Sequence, residues 1–341
     1  MLPTGKLGIR ILRKLLRKYS QVDKRVVLGP GIGEDAAAID MGDKILVVAT
    51  DPITFATSEI GYYSVMVNAN DIAASGAEPR WFTVTILLPE QGATEALANT
   101  IFSQIHQACE QLRISVVGGH TEITSGLDRP ILVGQMMGEV NKGELISTAG
   151  AKPGDRVLLS KGICIEGTSL LARERGGELL SRGISKDVIK KAQHFLFDPG
   201  ISVVEEARIA VTEGQVNAMH DITEGGLADG LHELAVAAGV KIVVEESRIP
   251  VYAESKILCD MYGLNPLGVI GSGGLLVTAP YCEADRILKA AQSQGVNMTD
   301  IGYVEAAGPP SVAMLTPDGT KPVPYFEADE VTKVLSEGLF K

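Results

Sequence analysis

Val67-Asn68-Ala69-Asn70-Asp71-Ile72-Ala73-Ala74-Ser75-Gly76-Ala77 is the run on which the reading of this chain turns. Small apolar residues fill it, and Asn68, Asp71 and Ser75 recur at i, i+3 and i+7, which puts them on one face of a helix. The helix is read over Glu59 to Ser75. A polar stripe on so apolar a helix is costly if buried dry, so it must meet either water or a ligand. The small residues beside it let another backbone come close.

Strand-like segments surround this helix. Arg25–Leu28, Ala36–Ile39 and Lys44–Thr50 are short and β-branched or alternating, with Met41-Gly42-Asp43 as a hairpin turn between the last two. A strand is read at Trp81–Leu88, a helix at Thr94–Leu112, a short buried strand at Ser115–Val117 and a strand at Ile131–Val140. A Pro-Gly turn at Ala151-Lys152-Pro153-Gly154-Asp155 marks the boundary, giving domains 1–150 and 151–341. The second half is read with helices at Glu166–Glu174, Lys186–Phe195, Ile201–Thr212, Gly225–Ala238 and Ala253–Tyr262, and strands at Asn217–Met219, Lys241–Glu245, Gly274–Thr278 and Pro310–Leu315. The fold class is therefore α/β (α+β) in two domains, the first with a mixed sheet.

Several element ends carry acids or glycines. Gly29-Pro30-Gly31-Ile32-Gly33-Glu34-Asp35 lets backbone amides approach a phosphate while an acid holds its metal, and it reads equally as a loop between hairpins. The next segment, Ala36 to Thr50, reads as a hairpin and not a helix, which argues against a dinucleotide-binding turn. No G-x-x-x-x-G-K-[ST] occurs, which excludes a P-loop. Asp51 emerges after an apolar strand that Pro52 is expected to stop. Gly118-Gly119-His120-Thr121-Glu122 is read as a glycine pair at the end of the short strand with polar side chains after it. A dispersed set of carboxylates without His/Cys spacing suits Mg2+ and phosphate better than zinc. Met219-His220-Asp221-Ile222-Thr223-Glu224-Gly225-Gly226 runs from strand to helix, with Thr223 as the expected N-cap and an anion site at the helix start. His220 reads either as a general acid–base or as a structural histidine, and His232 with Glu233 as a packing pair. The Gly271-Ser272-Gly273-Gly274 loop matches no nucleophile elbow.

Composition narrows the function. The 341 residues hold 42 acidic against 31 basic side chains, a net charge of −11, a poor background for nucleic acid. No apolar run approaches the roughly 18–20 residues of a membrane span, and the amino terminus lacks a signal core, so a cytoplasmic location is expected. The local exception is the basic stretch from Lys6 to Arg25, with a helix read over Leu7 to Tyr19: either a solvated face or an arm offering cations to phosphates. The four cysteines are scattered without C-x-x-C, which implies neither zinc nor a disulfide framework.

In order along the chain stand G-x-G-E-D-A-A (Gly31 to Ala37), T-D (Thr50-Asp51), V-N-x-N-D-I-A-A-x-G-A-x-P (Val67 to Pro79), G-G-x-T (Gly118 to Thr121), K-P-G-D (Lys152 to Asp155) and D-x-T-x-G-G-L-A (Asp221 to Ala228). This series resembles the aminoimidazole-ribonucleotide (AIR) synthetase superfamily, and most closely its hydrogenase-maturation dehydratase branch. The resemblance implies an AIR-synthase-like (PurM-like) fold whose N-terminal sheet pairs with a second copy into a dimeric barrel, hence a homodimer. It implies an ATP- and Mg2+-dependent enzyme that activates an oxygen of a small-molecule or carbamoyl-type substrate. By position, Glu34, Asp35, Asp51 and Asp71 become the metal-linked acids. Gly31, Gly33, Asn68, Gly118, Gly119, His120 and Thr121 fall beside the nucleotide, and His220, Asp221 and Glu224 on the substrate side.

The sequence departs from that branch at three places. Its last cysteine is Cys282, with no later thiol to carry the reacting group. His120 stands where relatives place an acid, which Glu122 is a candidate to replace. Glu224 stands where the maturation enzymes have Arg. The alternative reading is a nucleotide-binding assembly factor with reduced catalysis.

Overall fold

The computed structural model describes residues 7–20 and 23–335. Lys6 and residues 336–341 lie outside the described residues. The chain forms two compact units. One is Asp23–Gly29 with Ala36–Leu145, and the other comprises the described parts of Met1–Val22, Pro30–Asp35 and Ile146–Lys341. Helix α1 (Ile9–Tyr19) fulfils the reading of the basic amino terminus as a helix. The strap 30–35 is counted with the second unit, an exchange that a cut at 150/151 does not mark.

The first unit is built on one sheet. Its strands are β1 (Val26–Leu28), β2 (Ala37–Asp40), β3 (Lys44–Ile53), β4 (Glu78–Pro89), β5 (Ser115–Thr124) and β6 (Ile131–Asn141), in the order β1-β2-β3-β6-β4-β5. All pairs are antiparallel except β4 with β5. Burial alternates along β3, β4 and β6, as it must when one face of a pleated strand is covered. The cover is α2 (Ile60–Ala74), every residue of which is buried, and α3 (Glu95–Leu112) packs on α2 and β5. A helix buried on every side is stable only inside a core, and its polar side chains must find partners there. Glycines on β6 admit it: a Cβ at Gly134 would stand 2.4 Å from the Asn68 side chain, and one at Gly138 would stand 2.4 Å from Ile72 and 2.5 Å from the Glu78 carbonyl.

Two of the expected strand ends lie elsewhere. Pro52 does not stop β3, which runs on to Ile53 in register with β6 (Pro52 opposite Val133). Beyond Val48 no β2 residue pairs on the other side, so proline's missing N–H removes no ladder bond there. Nor is Ser115–Val117 a short buried strand that ends at the glycine pair. β5 has ten residues, Gly118 to Thr121 lie within it, and it is an exposed sheet edge, with Val116, Val117 and Ile123 all more than half exposed.

The second unit holds a seven-stranded sheet, order β13-β12-β9-β11-β7-β10-β8. The strands are β7 (Arg156–Ser160), β8 (Ala218–Asp221), β9 (Val240–Glu245), β10 (Leu275–Ala279), β11 (Met298–Ala307), β12 (Ser311–Thr316) and β13 (Gly319–Pro322). Only β9 and β12 pair in parallel. Around it lie α4 (Ile165–Glu174), α5 (Gly176–Ser181), α6 (Lys186–His194), α7 (Val204–Glu213), α8 (Gly226–Ala238), α9 (Ala253–Tyr262), α10 (Tyr281–Ser293) and α11 (Thr332–Leu335). α8 packs on β8, β9 and β12, and α10 on β7, β10 and β11. Strands β8 and β10 are buried at every residue, so β8 delivers its last side chains, His220 and Asp221, into the interior.

Because the Gly138 contact includes backbone, Gly138→Ala is expected to lose about 1–3 kcal/mol in urea unfolding, as overpacked cores do. Gly118→Ala, whose Cβ would meet nothing closer than 3.7 Å, should stay within about 0.5 kcal/mol of the parent. Equal effects of the two would contradict the packing described.

Candidate active site

Strand β8 ends among buried charged side chains of the second unit. The His220 ring is 2% exposed; its Nδ1 lies 2.9 Å from an Asp35 carboxylate oxygen and its Nε2 3.0 Å from Glu233 Oε2. Burial works against a charged ring, but the charge of Asp35 and the hydrogen bonds to Asp35 and Glu233 outweigh it and hold His220 well above its ordinary pKa. The ring is therefore an imidazolium donating both N–H groups to carboxylates. Both ring nitrogens thus meet carboxylates, and the ring holds Asp35 in place.

The strap 30–35 is fastened on both sides. The Glu34 carboxylate accepts from Ser147 Oγ at 2.7 Å and from the Ala149 N–H at 3.3 Å, and so holds the short 3-10 turn Thr148–Gly150. Gly33, at φ +78°, lies so close to α8 that a Cβ would come within 2.8 Å of the Glu233 carbonyl. Glu34, read from the resemblance as metal-linked, is thus engaged in holding the strap, and Asp35 is what the strap delivers. Among the described residues, Asp35, His220 and Asp221 form the one trio of His, Cys, Asp or Glu whose ligand atoms lie within 4.8 Å of one another. With the imidazolium committed to carboxylates, the donors left to a cation are the oxygens of Asp35 and Asp221, which fit Mg2+.

The turn after β8 differs from expectation. Thr223 does not cap α8: the N-cap is Gly225, in the left-handed region at φ +79° and without a side-chain cap. The Asp329 carboxylate reaches this helix start instead, accepting from Gly225 N–H at 2.8 Å and from Val331 N–H at 2.9 Å, so an acid of the chain itself occupies the expected anion site. Gly271 N–H donates to the Thr223 carbonyl at 3.2 Å. Glu166, on α4, is buried; burial, above the neighbouring charges of Glu224 and Asp329, pushes its carboxyl up to about 8 against the opposing hydrogen bonds from Ser272.

The remaining expected residues belong to the first unit. Asn68 is fully buried and clamps β3: its Oδ1 accepts from Asp51 N–H at 2.8 Å, and its Nδ2 donates to the Ser64 carbonyl at 2.9 Å and the Asp51 carbonyl at 3.3 Å. Asn68 thus fixes the backbone of Asp51. Asp71 and Ser75 are buried on the same helix, so the stripe is no solvated face. On the exposed strand β5, His120 Nε2 lies 3.2 Å from Glu122 Oε2, and Thr124 Oγ1 donates to Glu122 Oε1 at 2.8 Å. His232 and Glu233 do not pair with each other: His232 meets the Val323 carbonyl at 3.1 Å, and Glu233 faces His220. Glu233, Glu166 and Asp329 were missed as site residues. The one available signal was Asp229 with Glu233, i and i+4 on a helix whose other polar side chain is His232.

Residues 33–140 match the N-terminal domain, and residues 152–314 the C-terminal domain, of AIR synthase related protein. The chain belongs to the AIR synthase related family. It is 30% identical over 313 residues to a carbamoyl dehydratase, HypE, of Cupriavidus necator, covering 89% of this chain and 86% of that protein. It is 27% identical over 315 residues to a thiamine-monophosphate kinase of Aquifex aeolicus, covering 86% and 92%. The solved structure of the hydrogenase maturation protein HypE in complex with ATP shares the fold, with TM-score 0.71 at 23% identity over 95% of this chain and 96% of that one. As a family member, the chain carries its two AIR-synthase-like domains on the mixed α/β sheets described above.

The buried charges have two measurable consequences. His220→Ala leaves Asp35 and Glu233 facing each other without a cation and should cost about 3–5 kcal/mol of stability, most of it restored when Asp35→Asn and Glu233→Gln are added. Because Glu166 is raised in the fold, its contribution is intact below about pH 4.5 and is lost as pH rises toward about 8. Glu166→Gln should therefore stabilise the chain increasingly across that interval, by up to about 5 kcal/mol. A pH-independent difference in urea unfolding would contradict the assignment.

Proposed function

We propose that this AIR synthase related chain is an ATP- and Mg2+-dependent enzyme that transfers phosphate to an oxygen of a small-molecule or carbamoyl-type substrate. The observation that carries the reading is Asp35, held by a buried imidazolium beside Asp221. An acid fixed in this way is ready before the nucleotide arrives and needs no reorganisation when charge develops. The similarity to a carbamoyl dehydratase and to a thiamine-monophosphate kinase supports a reaction at a substrate oxygen.

In this reading Asp35, Asp51 and Asp71 are the magnesium-linked carboxylates, with Asn68 positioning Asp51. Bound Mg2+ would supply neutralisation of phosphate charge. Gly31, Gly33, Gly118, Gly119, His120 and Thr121 are proposed beside the nucleotide, and Asp221 and Glu224 beside the substrate. The exposed edge strand β5, with Val116, Val117 and Ile123 uncovered, supports pairing of two copies in a homodimer. Among the described residues no helix is long and apolar enough to cross a membrane.

Phosphate release from ATP, measured across carbamoyl, carboxamide and hydroxyl acceptors, tests the reading. Turnover should require Mg2+ and fall about 100-fold or more in Asp35→Asn and Asp71→Asn, with circular dichroism unchanged. Turnover indifferent to both substitutions contradicts it. Tight ATP binding without turnover on any acceptor would favour an assembly factor with reduced catalysis.

A further inference from the structure

A second group of acids lies at the turn on the other side of Glu224. The loop from Ile270 to Ser272 ties three elements together. The Ile270 carbonyl accepts from Gly167 N–H at 3.0 Å, next to Glu166, and Gly271 N–H donates to the Thr223 carbonyl, next to Glu224. Ile270 N–H also donates to Asp329, and Ser272 donates to Glu166. Glu166, Glu224 and Asp329 thereby converge on one loop. Glu166 and Asp329 are 7% and 4% exposed, while Glu224 is half-buried, so Glu224 is the member nearest solvent. Glu166 Oε2 is buried without a hydrogen-bond partner. An orphaned carboxyl oxygen inside a protein costs free energy comparable to a lost hydrogen bond, and a donor arriving from outside would remove that cost.

We propose that Glu166, Glu224 and Asp329 form a subsite for a nitrogen cation, an ammonium or amidinium group carried by the substrate. A small metal ion fits less well: these three acids are absent from the trios whose ligand atoms come within 4.8 Å of one another, whereas a divalent ion needs oxygens at about 2.0–2.6 Å from its centre. An N–H cation has the longer reach of hydrogen bonds, about 2.7–2.9 Å to each acceptor, and spreads its donors over several acids. The subsite deepens the reading above and rests on it for placing substrate at the turn from Asp221 to Gly226.

Calorimetry or NMR titration of the full chain without nucleotide, using methylguanidine, acetamidine and propylamine, tests the subsite. At least one of these should bind saturably at millimolar concentration. Binding should weaken about 30-fold or more in Glu166→Gln and in Glu224→Gln, and neither neutral acetamide nor Mg2+ nor K+ should compete. Both variants are first checked for native circular dichroism, and Glu166→Gln is expected to be the more stable. No saturable binding of any organic cation, equal binding by the variants, or displacement by Mg2+ overturns the subsite. Because no ATP is present, such a result leaves the Mg2+-ATP reading to stand or fall on the phosphate-release assay alone.

Discussion

A protonated imidazole enclosed by two carboxylates sets the chemistry of the second unit. Asp35 lies on a strap far from His220 in sequence, and Glu233 lies on the first helix after His220. Three charges inside a protein are tolerable only when their hydrogen bonds are complete, so each member constrains the other two. The strap cannot lift without exposing Asp35 and stranding His220, and Gly33 and Glu34 hold the same course from either side of that contact. The outcome is an acid whose direction is decided by folding.

The first unit solves a parallel problem with neutral groups. Asn68 spends its amide on the backbone of Asp51 and on Ser64, which joins α2 to β3 where that strand passes beyond its β2 neighbour. The glycines of β6 make the approach possible by removing the side chains that would keep α2 away. The same small-residue logic explains why α2 carries almost no amphipathic contrast and yet belongs to the core.

Much of the fold was legible because period and punctuation agreed. The Met41-Gly42-Asp43 hairpin, the helix around Val67 to Ala77 and the helix Ala253–Tyr262 all appear where local signals put them. The length of β5 was hidden, since an edge strand exposed at nearly every residue lacks the buried-exposed alternation that marks a half-covered one. Helix α10 and strand β11 went unread, although both pack on the central strands. At the site, Asp35 and His220 were visible as residue types at element ends, but Glu233, Glu166 and Asp329 were not. Their roles come from partners between 13 and 106 residues away, a distance over which no local pattern carries information.

The decisive question is whether the acid fixed by His220 meets the metal of a bound nucleotide. A crystal structure with a non-hydrolysable ATP analogue and Mg2+ addresses this directly. The expected result is a cation with an Asp35 carboxylate oxygen about 2.0–2.1 Å away, the magnesium–oxygen distance, while His220 remains paired to Glu233. A nucleotide and cation bound with Asp35 still turned wholly onto His220 and no carboxylate oxygen on the metal would contradict it.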